Sequence, residues 1–212
     1  YVYARDLYGR AFARYAAMLY AVWPFAIHAS VPMSEAVYAP LLLAVLILAR
    51  RGLWWGVAVA GAALSATRAP GLFAVIPAAL IAWRQVGFVR LLTVRPGTET
   101  RVLALAAFGV GIGGYMVYMH GLTGDALAFS HVQAAWNRSF KNPLWTLMDE
   151  LNPLIAEQFY IVYNLFNLAV ATLALILAWR LARLRLLPEA LIVVITLFLG
   201  LTTGQTTSLP RF

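Results

Sequence analysis

A chain of 212 residues that is 63% hydrophobic and only 11% charged has too little polar surface to be an ordinary soluble domain. Its net charge of +8 comes from 16 Lys and Arg set against 8 Asp and Glu, and the cations sit in short stretches between apolar runs, which argues against a nucleic-acid surface. Zero cysteines exclude a disulfide framework and thiol chemistry, and 3 scattered His give no metal-ligand spacing.

A hydrocarbon core about 30 Å thick takes about 20 apolar residues to cross as helix. On that measure the chain predicts spans at 11–29, 34–49, 53–67, 70–83, 102–120, 154–179 and 187–204, an all-α polytopic bundle of about seven membrane-spanning helices forming a single unit. Before the first span, Arg5, Asp6, Arg10 and Arg14 alternate with Tyr1, Tyr3, Leu7, Tyr8 and Phe12, a pattern suited to a helix lying in the membrane interface. The runs 53–67 and 70–83 are each about 21 Å long at about 1.5 Å per residue, short for a crossing, and one merged span is the alternative.

Charge separates the two readings. With a hairpin around Thr67, Arg68, Ala69 and Pro70, twelve of the sixteen cations share one face: Arg5, Arg10, Arg14, Arg50, Arg51, Arg84, Arg90, Arg95, Arg101, Arg180, Arg183 and Arg185. The positive-inside rule makes that face cytoplasmic, whereas merging would send the four Arg of 84–101 outside. Residues 84–101, broken by Pro96 and Gly97, form the main cytoplasmic connection. Residues 121–153 form a long extracytoplasmic loop with one amphipathic helix around Leu127–Trp136 and a second over Leu144–Leu151. The chain opens on Tyr1 and stops at Phe212 just past the last apolar run, so it reads as an internal piece of a longer protein. Fifteen Arg to one Lys, with abundant Ala, Leu and Gly, suits a high-GC prokaryotic gene.

The candidate chemistry lies on the outer side. Glu35, following Ser34 and Pro32, opens a span, where it serves the helix dipole or binds a sugar hydroxyl. Arg68 at the hairpin tip suits a phosphate or carboxylate, or snorkels at the interface, and Arg211 raises the same alternatives. Asp125 follows the flexible Gly121-Leu122-Thr123-Gly124 and either caps a helix or approaches a ligand. His131, Gln133, Trp136 and Arg138 supply a titratable ring, an amide, an indole and a guanidinium within eight residues, a set suited to sugar and phosphate binding. In the span 154–179, Tyr160, Tyr163, Asn164 and Asn167 fall on one stripe suited to interhelical hydrogen bonds. No charge lies at a predicted midplane, which weighs against the main alternative, a transporter or flippase of a lipid or sugar. A noncatalytic membrane partner is a third possibility.

Trp23-Pro24 through His28, Pro32-Met33-Ser34-Glu35-Ala36-Val37-Tyr38 and Thr67-Arg68-Ala69-Pro70-Gly71 resemble the middle spans of polytopic GT-C glycosyltransferases. The run Gly121-Leu122-Thr123-Gly124-Asp125-Ala126-Leu127-Ala128-Phe129-Ser130-His131-Val132-Gln133-Ala134-Ala135-Trp136 resembles the outer loop of prokaryotic relatives of the PIG-V mannosyltransferases, and Ser208-Leu209-Pro210-Arg211-Phe212 resembles their late Pro-Arg-aromatic segment. The resemblance implies mannosyl transfer from a polyprenyl-phosphate donor to a lipid or glycan acceptor on the extracytoplasmic face of a prokaryotic plasma membrane. No nucleotide sugar and no evident cofactor are implied, and metal use is left open. It makes Glu35 and Asp125 the candidate catalytic carboxylates. Arg68, His131, Gln133, Trp136, Arg138 and Arg211 become candidate substrate-binding residues. The family's Asp in a first outer loop would precede Tyr1, so the piece is expected to lack the main catalytic carboxylate.

Overall fold

The computed structural model describes residues 1–22, 34–136, 140–151 and 158–202, apart from the side chains of Glu35, Trp136, Leu147, Asp149, Glu150, Leu151 and residues 158–164. The described residues are helical, with no strand among them, and they fall into two compact units, Tyr1–Gly111 and Ile112–Pro210.

In the first unit, α1 (Val2–Val22) covers the expected interfacial segment and the start of the first predicted span; residues 23–29 of that span lie outside the described residues. Gly9, at φ 83° and ψ 175°, breaks α1 in a conformation that L side chains avoid. Near its start Asp6 accepts from Arg51 at 2.5 Å and Arg5 at 3.0 Å, while the Arg50 guanidinium lies 6.0 Å from the Tyr3 ring centre. These contacts tie α1 to the end of α2 (Ser34–Arg50). The next turn is a Schellman motif: Gly52 takes φ 72°, its N–H bonds the Ala49 carbonyl, and the Leu53 N–H reaches back to Leu48.

The apolar runs after that turn are separate helices, α3 (Trp54–Thr67) and α4 (Val75–Val86), joined by Arg68 in extended conformation and a 3-10 turn over Ala69–Ala74. They run antiparallel. The Trp54 indole donates to Gln85 Oε1 at 3.3 Å, and the Gln85 amide donates to the Ala49 carbonyl at 2.8 Å, so the start of α3 and the ends of α2 and α4 meet. Arg50, Arg51 and Arg84 therefore gather at that end, and Arg68 at the opposite end of α3. The first part of α6 (Glu99–Thr123) runs alongside α3, with Arg101 over the Trp54 ring at 5.6 Å and the Ser65 hydroxyl 2.7 Å from the Phe108 carbonyl. Small residues permit this approach: a Cβ on Gly61 would strike the Phe108 ring, and one on Gly111 would strike the Ala62 carbonyl and Ser65 Oγ. Between α4 and α6 lies the short α5 (Phe88–Leu92).

The second unit takes in the rest of α6, α7 (Ala128–His131), a 3-10 segment over Val132–Trp136, α8 (Pro143–Leu151), α9 (Gln158–Arg183) and α10 (Leu187–Thr202). Asn142 caps α8 by accepting from the Leu144 N–H at 2.9 Å, with Pro143 opening the helix. Ala171 and Ala174 of α9 pack against Leu197 and Leu201 of α10. The α9–α10 turn repeats the Schellman pattern with Arg185 in the left-handed position at φ 61°.

Among the described residues, three helical stretches, Ala69–Val86, Glu99–Thr123 and Leu165–Arg183, are long and apolar enough to cross a membrane. The predicted spans 34–49, 53–67 and 187–204 coincide with shorter apolar helices, Ala36–Arg50, Trp54–Thr67 and Leu187–Thr202.

Candidate functional site

The most organised polar constellation among the sequence-predicted residues lies just after α6. Gly124 ends that helix at φ 76°, with its N–H on the His120 carbonyl at 2.8 Å. The Asp125 N–H then bonds Thr123 Oγ1 at 3.2 Å, and Asp125 Oδ1 accepts from the Leu127 N–H at 2.9 Å, an Asx-turn that starts α7. One further helical turn brings His131 back over this loop, its Nδ1 2.6 Å from Asp125 Oδ2. Ring packing of Phe129 on Tyr115 at 5.5 Å ties α7 to α6.

Protonation follows from these contacts. The Leu127 N–H, and after it the His131 ring, hold the Asp125 carboxyl below its ordinary range. An ionised carboxylate only accepts hydrogen bonds, so His131 Nδ1 carries the proton and a neutral ring keeps its lone pair on Nε2. Side-chain exposures of 67% for His131 and 42% for Asp125 leave the pair open to an incoming molecule. Both oxygens of Asp125 are engaged, so the half of this pair with a basic atom to offer is His131.

The other sequence-predicted residues are distributed differently. Gln133 donates to the Phe129 carbonyl at 3.3 Å and is half-buried against its own helical stretch. Trp136 closes the 3-10 segment. The continuous amphipathic helix expected here is instead two short pieces, because the loop begins with an Asx-turn and tightens to 3-10 from Val132. Glu35 lies in the first turn of α2, and Arg138 and Arg211 lie outside the described residues. In the first unit Arg68 is half-buried with its guanidinium 5.8 Å from the Tyr38 ring centre. Tyr38 had no assigned role in the sequence, where thirty residues separate it from Arg68; only the fold brings the two together. The direct pairing of Asp125 with His131 was also missed there, since six residues matches no helical face unless a turn intervenes. Asn167 of the polar stripe is fully buried. Among the described residues no group of three or more His, Asp or Glu is placed to hold a metal ion.

No protein-family profile, curated protein or solved structure matches this chain. The class of molecule is thus defined by its own fold: an all-helical chain with membrane-length apolar helices and an exposed carboxylate–imidazole pair in the connection between two of them.

Proposed function

We propose that this chain is the membrane part of a glycosyltransferase, crossing the bilayer about seven times and moving mannose from a polyprenyl-phosphate donor to a hydroxyl of a lipid or glycan acceptor on the extracytoplasmic face. The observation that carries the reading is the Asp125–His131 pair at 2.6 Å, a general-base arrangement in a chain with few polar groups. The gathering of Arg50, Arg51 and Arg84 at one end of the first unit, away from Arg68, supports the assumed sidedness.

In this mechanism His131 Nε2 takes the acceptor's hydroxyl proton as the oxygen attacks the anomeric carbon. The bond from that carbon to the lipid phosphate oxygen breaks, and the phosphate leaves with the electron pair. Asp125 is a positioning residue that fixes the imidazole tautomer. By resemblance, Arg138 takes up the phosphate charge, and Gln133 and Trp136 line the sugar site.

The test is transfer of labelled mannose from polyprenyl-phosphate mannose by membranes carrying the protein. His131→Ala is expected to lower transfer by about 10²–10⁴-fold while leaving membrane insertion intact. Asp125→Asn should lower kcat with donor KM little changed, as expected of a residue acting through another. Undiminished transfer by His131→Ala in the full-length protein sinks the mechanism, and absence of any new glycosidic bond with the unaltered full-length protein sinks the reading. A translocator of lipid or sugar is the second reading, favoured by the fully buried Asn167 within α9. It requires flux across vesicles without bond formation.

A further inference from the structure

The connection from α4 to α6 is a built surface rather than a slack linker. Gly87 at φ 87° turns the chain from α4 into α5, and the Trp83 and Phe88 rings pack at 5.3 Å. Thr98, almost fully buried, is the hub: its hydroxyl lies 2.7 Å from the Arg95 carbonyl and 3.3 Å from the Arg90 carbonyl. Held this way, the segment exposes Val89 at 63% and Leu92 at 65%, with Phe88 also open, beside exposed Arg84, Arg90 and Arg95. Between Trp83 and Thr98 there is no acidic residue.

Backbone strain marks the same place. Here α5 ends in a third Schellman turn, the Arg95 N–H on the Arg90 carbonyl, with Val94 in the left-handed position at φ 45°. The equivalent position after α2 is Gly52, which fits without cost. A β-branched residue there is strained, yet Val94 keeps 47% of its surface exposed. An apolar side chain kept partly outward against backbone preference, among cations whose nearest acid in sequence, Glu99, accepts from the Gly97 N–H at 2.7 Å, calls for a surface that is apolar inside and negative at its rim.

We infer that the α4–α6 connection docks on the anionic headgroups of the bilayer, with Phe88, Val89, Leu92 and Val94 entering the interface and Arg84, Arg90 and Arg95 binding lipid phosphate. The inference rests on the membrane reading and is independent of sugar transfer. The chain has no Cys, so Leu92→Cys can carry a single environment-sensitive nitrobenzoxadiazole probe on the full chain in nanodiscs of phosphatidylcholine with or without phosphatidylglycerol. The expected result is a blue-shifted emission, protected from aqueous iodide, in the anionic discs and reversed by added salt. Arg90→Gln with Arg95→Gln should weaken docking about fivefold per charge. Val94→Gly should dock more weakly while melting no lower than the parent in neutral discs, which separates docking from folding. Equal protection in neutral and anionic discs, equal exposure in both, or an unchanged shift in the double Arg variant overturns the inference. Equal protection by polyglutamate or an RNA oligonucleotide reassigns the surface to a soluble polyanion and overturns it as well. A chain that does not enter the discs overturns both the inference and the membrane reading beneath it.

Discussion

At the scale of single residues, the loop around Asp125 depends on charge. The folded state lowers the pKa of this carboxyl, so the stability it lends is present above the unfolded value and is lost as pH falls through the lower folded one. Protection of the Leu127 amide against hydrogen exchange, measured relative to the intrinsic exchange rate at each pH, should therefore hold at neutral pH and fall below the ordinary carboxylate value of about 3.9. Protection at Leu127 that ignores pH over that range would show that the Asx-turn does not depend on the charged carboxylate. Glycine positions separate in the same manner. Gly61→Ala drives a Cβ into the ring of buried Phe108 and is expected to cost about 1–3 kcal/mol in thermal unfolding in detergent. Gly109→Ala on α6 meets no heavy atom within 4 Å and should be neutral or stabilising by about 0.4–1 kcal/mol. Arg185→Gly removes a left-handed non-glycine residue and should raise stability by about 1 kcal/mol.

At the scale of elements, much of the helix pattern was legible because long apolar runs and their Gly and Pro punctuation are local signals. The reversal at Thr67–Pro70 followed from the balance of Arg on either side of it, and the antiparallel α3 and α4 carry it. The second loop helix, expected from Leu144, begins at Pro143, where a proline is tolerated and Asn142 supplies the cap. Less was legible where side chains act on backbone at short range. The Asx-turn at Asp125 and the Thr98 hub each depend on one hydroxyl or carboxylate reaching a nearby peptide, and periodicity does not encode that. The α3–α6 crossing was hidden for another reason, since Gly61, Ser65 and Gly111 read only as small residues until two helices close on them. Ser65→Ala should cost about 0.6 kcal/mol through loss of the bond to the Phe108 carbonyl, measurable as a lowered midpoint in the same detergent unfolding.

At the scale of the whole molecule, sidedness is the property on which the proposed chemistry turns. With no native Cys to interfere, single cysteines at positions 95 and 125 can be challenged in intact cells with a membrane-impermeant maleimide. Labelling at 125 and not at 95 is the expected outcome, and the reverse would place the Asp125–His131 pair where no polyprenyl-linked sugar waits. One further consequence follows from α3, whose 14 residues rise only about 21 Å. If α3 is one of the seven proposed crossings, a bilayer with a core of about 30 Å has to pinch around so short a hydrophobic rod, or the rod must borrow cover from its neighbours. Reconstituted in lipids of graded acyl-chain length, the protein should lose stability at both ends of the series, in the thickest bilayers through α3 and in the thinnest through α6, whose 25 residues rise about 37 Å. In a living cell the same two mismatches would keep it in membrane of middling thickness.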